Sequence, residues 1–275
     1  MRNRFLLSII CLLCFLASLS VASKHAQAHP AGAQNGVQES FPYPVIPDSL
    51  QSGAARLGYM LAHFWQDYCF SDTTIINKKV GEQGLVDFIN LMQYADSAQC
   101  ADAACTFADS IGKDSIREAF FIELTDHYLG HPQSPLRNDG VYAHLLRALP
   151  PTPQRLFLLQ QVERHLPGMA ATDFAYDDGQ GRQQRLYDIS APFTLLVFFD
   201  PHCERCQELL PQIKEQTAAA VHSGRLALVL VDTERNTQAA QLYYLPQMPS
   251  LYLLDAQKKV VVKDGSLENI SKLLD

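Results

Sequence analysis

Beyond its first 30 or so residues the chain has no apolar run of the ~18 residues that a membrane-spanning helix requires, which excludes a polytopic membrane protein. Cations are few. The 22 lysines and arginines are outnumbered by 29 aspartates and glutamates, the formal net charge is −7, and no basic stripe occurs anywhere. A chain of that sign repels phosphate backbones, so nucleic acid is excluded as a partner. No His-x-x-x-His pair lies on one helical stretch, and Asp177-Asp178-Gly179 lacks the alternating acids of a calcium loop. Glu82, Asp87, His127, His131 and His144 accordingly read as surface residues, and no metal site is expected. Internal repeats and low-complexity tracts are missing too. The chain has one tryptophan, Trp65, which stands beside Phe64 and near Tyr68 and reads as core packing, with a functional aromatic cleft as the alternative.

What is present begins with a basic Met-Arg-Asn-Arg start, an apolar run from Phe5 to Ala22 and then small residues. That order predicts a secretory signal peptide over residues 1–28, cut after Ala26-Gln27-Ala28 or, alternatively, after Val21-Ala22-Ser23. An uncleaved anchor is the competing reading. Cys11 and Cys14 follow the bulky Ile10 and Leu13, whereas a lipoprotein site needs a small residue there, so lipidation is not expected. Cleavage removes Arg2, Arg4 and Lys24 and no acid, taking the charge from −7 to −10. The product is expected in the periplasm or cell envelope, with no membrane span after signal cleavage. Of seven cysteines, Cys69, Cys100, Cys105, Cys203 and Cys206 would remain, an odd number in a compartment that permits disulfides.

Residues 29–47 are a proline-rich extended lead-in. From residue 48 to 166 the apolar period is helical. Asp48 or Ser49 is expected to cap a first helix carrying Leu50, Ala54, Leu57, Met60, Leu61, Phe64 and Trp65 on one side. Further helices are expected over Glu82–Ala95, Ala101–Ile111, Ser115–Leu129, Val141–Leu149 and Pro153–Leu166, with Asp114 and Thr152 as caps. Cys100 and Cys105 are five apart, too far round a helix to share a face. They bridge each other if Cys100 precedes the helix, either one reaches Cys69, or all three are inert thiols.

After Leu166-Pro167-Gly168 the period changes. A turn-rich hairpin surrounds residues 177–181, and Thr194–Phe199 is a continuous apolar run typical of a strand covered on both faces. A helix over Cys206–His222, a strand over Leu226–Val231, a short helix over Gln238–Tyr244, a hairpin of Leu251–Leu254 with Val260–Lys263, and a last helix over Leu267–Leu274 complete an α/β layer in residues 167–275.

Cys203-Glu204-Arg205-Cys206 falls where the buried strand hands over to a helix, after the turn Asp200-Pro201-His202. Donors at a helix N-terminus favour a thiolate, Arg205 adds a cation and Glu204 opposes it. The spacing brings the second sulfur within reach of the first, as release of an attacked partner requires.

The segment Phe198–Cys206 resembles the active-site segment of the thioredoxin/TlpA-type family. A second match runs through Leu230-Val231-Asp232, Asn236–Tyr243 and Met248-Pro249-Ser250-Leu251-Tyr252-Leu253-Leu254. The resemblance covers residues 170–275. It implies an α/β thioredoxin-like domain with a central mixed sheet flanked by helices, preceded here by an all-α helical-bundle domain. It also implies that Pro249 is cis and faces Cys203 and Cys206, with Met248 offering backbone atoms to a bound peptide. The whole chain further resembles Bacteroidota envelope proteins that join a helical domain of unknown function to a thioredoxin-like C-terminus. The segments that carry this are His63-Phe64-Trp65, Phe70-Ser71-Asp72-Thr73, Phe88-Ile89-Asn90-Leu91, Ser134-Pro135-Leu136-Arg137-Asn138 and Ala171-Thr172-Asp173-Phe174. Three departures stand out. Val197 occupies the position of the family's buried acid, Glu-Arg replaces Gly-Pro between the cysteines, and Asp232–Met248 leaves little room for the mid-domain insertion of related envelope reductases.

The expected function is therefore a thiol–disulfide oxidoreductase acting as reductase or isomerase on envelope protein disulfides. Cys203 is the nucleophile, Cys206 the resolving thiol, Pro249 the groove floor, and His202, Glu204, Arg205 and Met248 modulate. No organic cofactor is implied, but an upstream electron donor is. The alternatives are a partner-binding scaffold on a thioredoxin fold and a Cu(I) chaperone using His202, Cys203, Cys206 and Met248.

Overall fold

The computed structural model describes residues 40–112, 114–178 and 180–274. The leader expected over residues 1–28, with Cys11 and Cys14, lies outside the described residues, as does the first part of the lead-in.

Among the described residues the first half is helical. It holds α1 (Gly53–His63), α2 (Ile75–Met92), α3 (Ser97–Ile111), α4 (Ser115–Thr125), α5 (Asp139–Ala148) and α6 (Pro153–Glu163), and a π-type turn, Asp126–Gly130, extends α4. Each helix starts at a side chain that satisfies an orphan amide. Ser52 does so for α1, in place of the expected Asp48 or Ser49, because Leu50 N–H turns back to Pro47 O at 3.1 Å and keeps the chain non-helical there. Thr74, Asp96, Asp114, Asn138 and Thr152 cap the others, and Asp96 forms a reciprocal box with Gln99.

Helix α2 begins seven residues before the expected Glu82. Two glycines inside it, Gly81 and Gly84, are close-approach sites. A Cβ would stand 2.3 Å from the Tyr68 hydroxyl at one and 2.1 Å from the Phe41 ring at the other. Those rings belong to an aromatic core in which Trp65 contacts Phe41, Phe64, Tyr68, Phe70, Phe88, Phe107 and Phe121, with centroids 5.1 to 5.8 Å apart. Trp65 is fully buried, so it is core and lines no cleft. Glu82, Asp87 and His144, expected at the surface, are half-buried. Tyr128 Oη donates to Glu82 at 2.7 Å, Tyr43 Oη donates to Asp87, and His144 packs 3.4 Å from Ser97.

The second half starts with a small antiparallel ribbon, β1 (Ala175–Asp177) and β2 (Gln183–Arg185). The main sheet comprises β3 (Phe193–Phe199), β4 (Leu226–Asp232), β5 (Ser250–Asp255) and β6 (Val260–Lys263), in the order β4-β3-β5-β6. β4 runs parallel to β3, while β5 is antiparallel to both β3 and β6. Helices α7 (Glu204–His222), α8 (Thr237–Leu242) and α9 (Leu267–Leu274) accompany it. Alternate residues of β3 feed two apolar layers. Leu195 and Val197 pack with Ile213, Ala220, Ile270 and Leu274, and Leu196 and Phe198 pack with Phe174, Val231, Tyr243 and Tyr252. That double burial explains the unbroken apolar run.

Candidate functional site

The site forms where β3 ends. Asp200 organises the turn: its carboxylate accepts from His202 N–H at 2.7 Å and its carbonyl accepts from Cys203 N–H at 3.2 Å. Cys203 is thereby set as the N-cap of α7, in extended conformation, and its Sγ accepts from Cys206 N–H at 3.4 Å. A sulfur in that position receives the partial positive charge of the helix start. Cys203 is half-exposed, whereas Cys206 is fully buried one turn along. Both thiols are free, as are Cys69, Cys100 and Cys105. Burial, reinforced by hydrogen bonding and charge from Cys203, pushes the Cys206 thiol up to about 11.

Opposite the thiols, the Met248–Pro249 peptide is cis. Met248 carbonyl oxygen lies 3.9 Å from Cys203 Sγ, on the edge of a weak S–H···O contact, and Pro249 is buried. Of the flanking residues, Glu204 points to solvent. His202 is exposed too, and its Nε2 is 3.4 Å from Glu234 across the turn. Arg205 reaches over the groove instead, where its Nη1 donates to Gln247 Oε1 at 3.1 Å. Val197 is buried, so no carboxylate occupies that position of β3. Cys203, Cys206, Arg205 and Met248–Pro249 therefore converge, whereas His202 and Glu204 sit on the rim. Among the described residues no group of three or more His, Cys, Asp or Glu side chains is arranged to hold a metal ion. A cavity of about 350 Å³ beside Arg164, His165, Met169 and Thr172 contains none of these residues.

Gln247 and Asp264 lie behind the proline loop and were not singled out by the sequence. Gln247 Nε2 donates to Asp264 Oδ2 at 3.3 Å, and Ser250 Oγ donates to Asp264 Oδ1 at 2.6 Å. The signal available for Gln247 was its place directly before Met248-Pro249, and Asp264 had none.

A helical half followed by a mixed four-stranded sheet, with a helix springing from the end of β3, defines a thioredoxin-like protein with an added helical domain. The thioredoxin family model matches residues 183–275, and the model described as a domain of unknown function, DUF5106, matches residues 18–165. The latter covers more than half of the chain, which belongs to that family.

Thioredoxin 1 of Nostoc sp. (strain PCC 7120) is 28% identical over 85 residues, covering 31% of this chain and 77% of that protein. A thioredoxin-like protein from Bacteroides caccae ATCC 43185 has a crystal structure that superposes with a TM-score of 0.76 at 24% identity. The match covers 86% of this chain and 98% of that one, a likeness of fold through both halves. The thioredoxin domain of a thiol-disulfide oxidoreductase from Bacteroides vulgatus is 16% identical, covering 40% of this chain and 99% of its own, with a TM-score of 0.35. No helix among the described residues is long and apolar enough to cross a membrane.

Proposed function

We propose that the protein is an exported thiol–disulfide oxidoreductase that reduces or isomerises disulfides of envelope proteins through Cys203 and Cys206. The observation that carries this reading is the pairing of a half-exposed sulfur, bonded to an amide of the helix start, with a buried thiol one turn later. Cys203 as thiolate attacks one sulfur of a partner disulfide. The partner S–S bond breaks, a mixed disulfide forms, and the departing partner sulfur takes a proton. Cys206 then loses its proton and attacks Cys203 Sγ, which releases the second partner thiol and leaves a Cys203–Cys206 disulfide. Two electrons and two protons pass to the partner, so a dithiol donor must re-reduce the pair.

The high pKa of Cys206 keeps it protonated, and hence unreactive, until the mixed disulfide forms. Met248 carbonyl and Pro249 supply the floor on which a partner backbone lies. Export rests on the leader expected over residues 1–28. Replacing Cys206 by Ser should leave mixed disulfides unresolved. Envelope proteins released from Cys206→Ser by reductant support the reading. Absence of any such adduct, with no reduction of insulin by the unaltered protein, would overturn it in favour of a scaffold.

A further inference from the structure

The groups behind the proline loop reach the helical half. Asp264, its side chain 1% exposed, follows β6 in left-handed conformation (φ 47°). Besides Ser250 and Gln247, its carboxylate takes the guanidinium of Arg137, from the segment preceding α5. Arg137 also lies 3.4 Å from Asp139, and Asp139 pairs with Lys263 Nζ at 2.7 Å. Lys263 is 2% exposed and donates to Val162 O at 2.6 Å as well. Two cations and two carboxylates thus alternate in a chain that water barely reaches. Such a chain stabilises little beyond what apolar contact would provide, but it tolerates few geometries.

Where this chain ends is informative. Gln247 and Ser250 bracket Met248–Pro249, and Gln247 also accepts from Arg205, between the two cysteines. We infer that Arg137 is a positioning residue of the dithiol site. Through Asp264 it fixes Gln247 and Ser250, and so the approach of the Met248 carbonyl to Cys203 Sγ. This rests on the thiol exchange proposed above and makes the helical half a part of the redox site.

The test uses the full chain with Arg137→Met, Arg137→Lys and Gln247→Leu. The dithiol is equilibrated with glutathione, kcat and KM for insulin reduction are measured, and folding is checked by circular dichroism. Arg137→Met should move the glutathione equilibrium about tenfold toward the disulfide, or about 30 mV for a two-electron couple. The reason is that the proline loop, once unfixed, no longer holds the arrangement seen with both thiols reduced. The kcat should fall while KM changes little, and Arg137→Lys should recover most of the loss. Gln247→Leu breaks the link without stranding a buried charge and should shift the equilibrium in the same direction. If Arg137→Met does not fold, Arg137→Gln, which keeps a donor but not the charge, takes its place in the same measurements. Folded variants with the wild-type constant and wild-type kcat overturn the inference while leaving the redox function standing. A wild-type dithiol that glutathione cannot titrate removes the function and the inference together.

Discussion

The two halves treat cysteine differently. In the helical half the thiols are dispersed. Cys100 is buried and donates to Met92 O at 3.2 Å, Cys69 is exposed beside Ser71, and Cys105 is exposed on α3. Burial pushes Cys100 up, while the Ser71 hydroxyl holds Cys69 below its ordinary value. In the α/β half both thiols sit at one helix start, one half-exposed and one buried, with a peptide carbonyl across from them. A thiol gains chemistry from its placement on a secondary-structure terminus, and mere presence in the chain confers none.

Four experiments put this contrast to the test. The largest effect is expected on turnover. Cys203→Ala should abolish insulin reduction, while the triple change Cys69→Ser, Cys100→Ser, Cys105→Ser should keep it, as a turbidity assay would report. A triple variant as inactive as Cys203→Ala would erase the distinction.

Next is the aromatic core. Trp65→Ala should cost about 3–5 kcal/mol in urea unfolding. Because the buried ionic chain joins the halves, the loss should also advance the denaturant concentration at which Cys206 becomes alkylated. Alkylation unchanged from wild type would mean that the halves unfold independently.

A smaller cost is expected for Cys100→Ser alone, about 1–3 kcal/mol, since a hydroxyl replaces a thiol at a site that is 5% exposed. The same assay with Cys105→Ser, at an exposed position, should show no shift.

The fourth effect is on pH dependence and shows only in acid. Burial, helped by the charges of Lys263 and Arg164, lowers His165 from 6.5 to about 4. The unfolded chain therefore protonates first, and the stability present above pH 6.5 declines as the pH falls toward 4. His165→Asn tolerates the positive φ of 56° and should flatten the decline in melting temperature over that range. A slope as steep as wild type would remove His165 as the cause.

Much of this could be read in the chain because its signals are local. The double burial of β3 appears as an unbroken apolar run, Asp114 and Thr152 announce helix starts, and Pro153 follows its cap directly. The expected helix began at Glu82, just past Gly81, and what makes Gly81 fit inside α2, the Tyr68 ring, lies elsewhere in the sequence. Cys203, Cys206 and Pro249 stood out through spacing and resemblance. Arg137 appeared only inside a resembling segment and its pairing with Asp264 was not legible, since they are 127 residues apart and a polar residue at the end of an element leaves no periodic trace. Glu82 and Asp87 were hidden for the same reason, because their tyrosine partners come from other segments.

The stretch between the halves has a practical meaning for any fragment of this protein. Gly168 N–H donates to Val260 O, Val260 N–H to Met169 O and Ala171 N–H to Lys258 O, each at 2.8 Å, so residues 168–171 pair with residues 258–260, up to the first residue of β6, as a short seam. Without that seam residues 258–260 would present unpaired amides and carbonyls to any neighbouring copy, which lengthens the template for strand-to-strand self-association. A C-terminal fragment trimmed to residue 183, where the thioredoxin match begins, loses the seam and β1 together. It should aggregate more readily than one beginning ahead of Gly168, which keeps those groups paired.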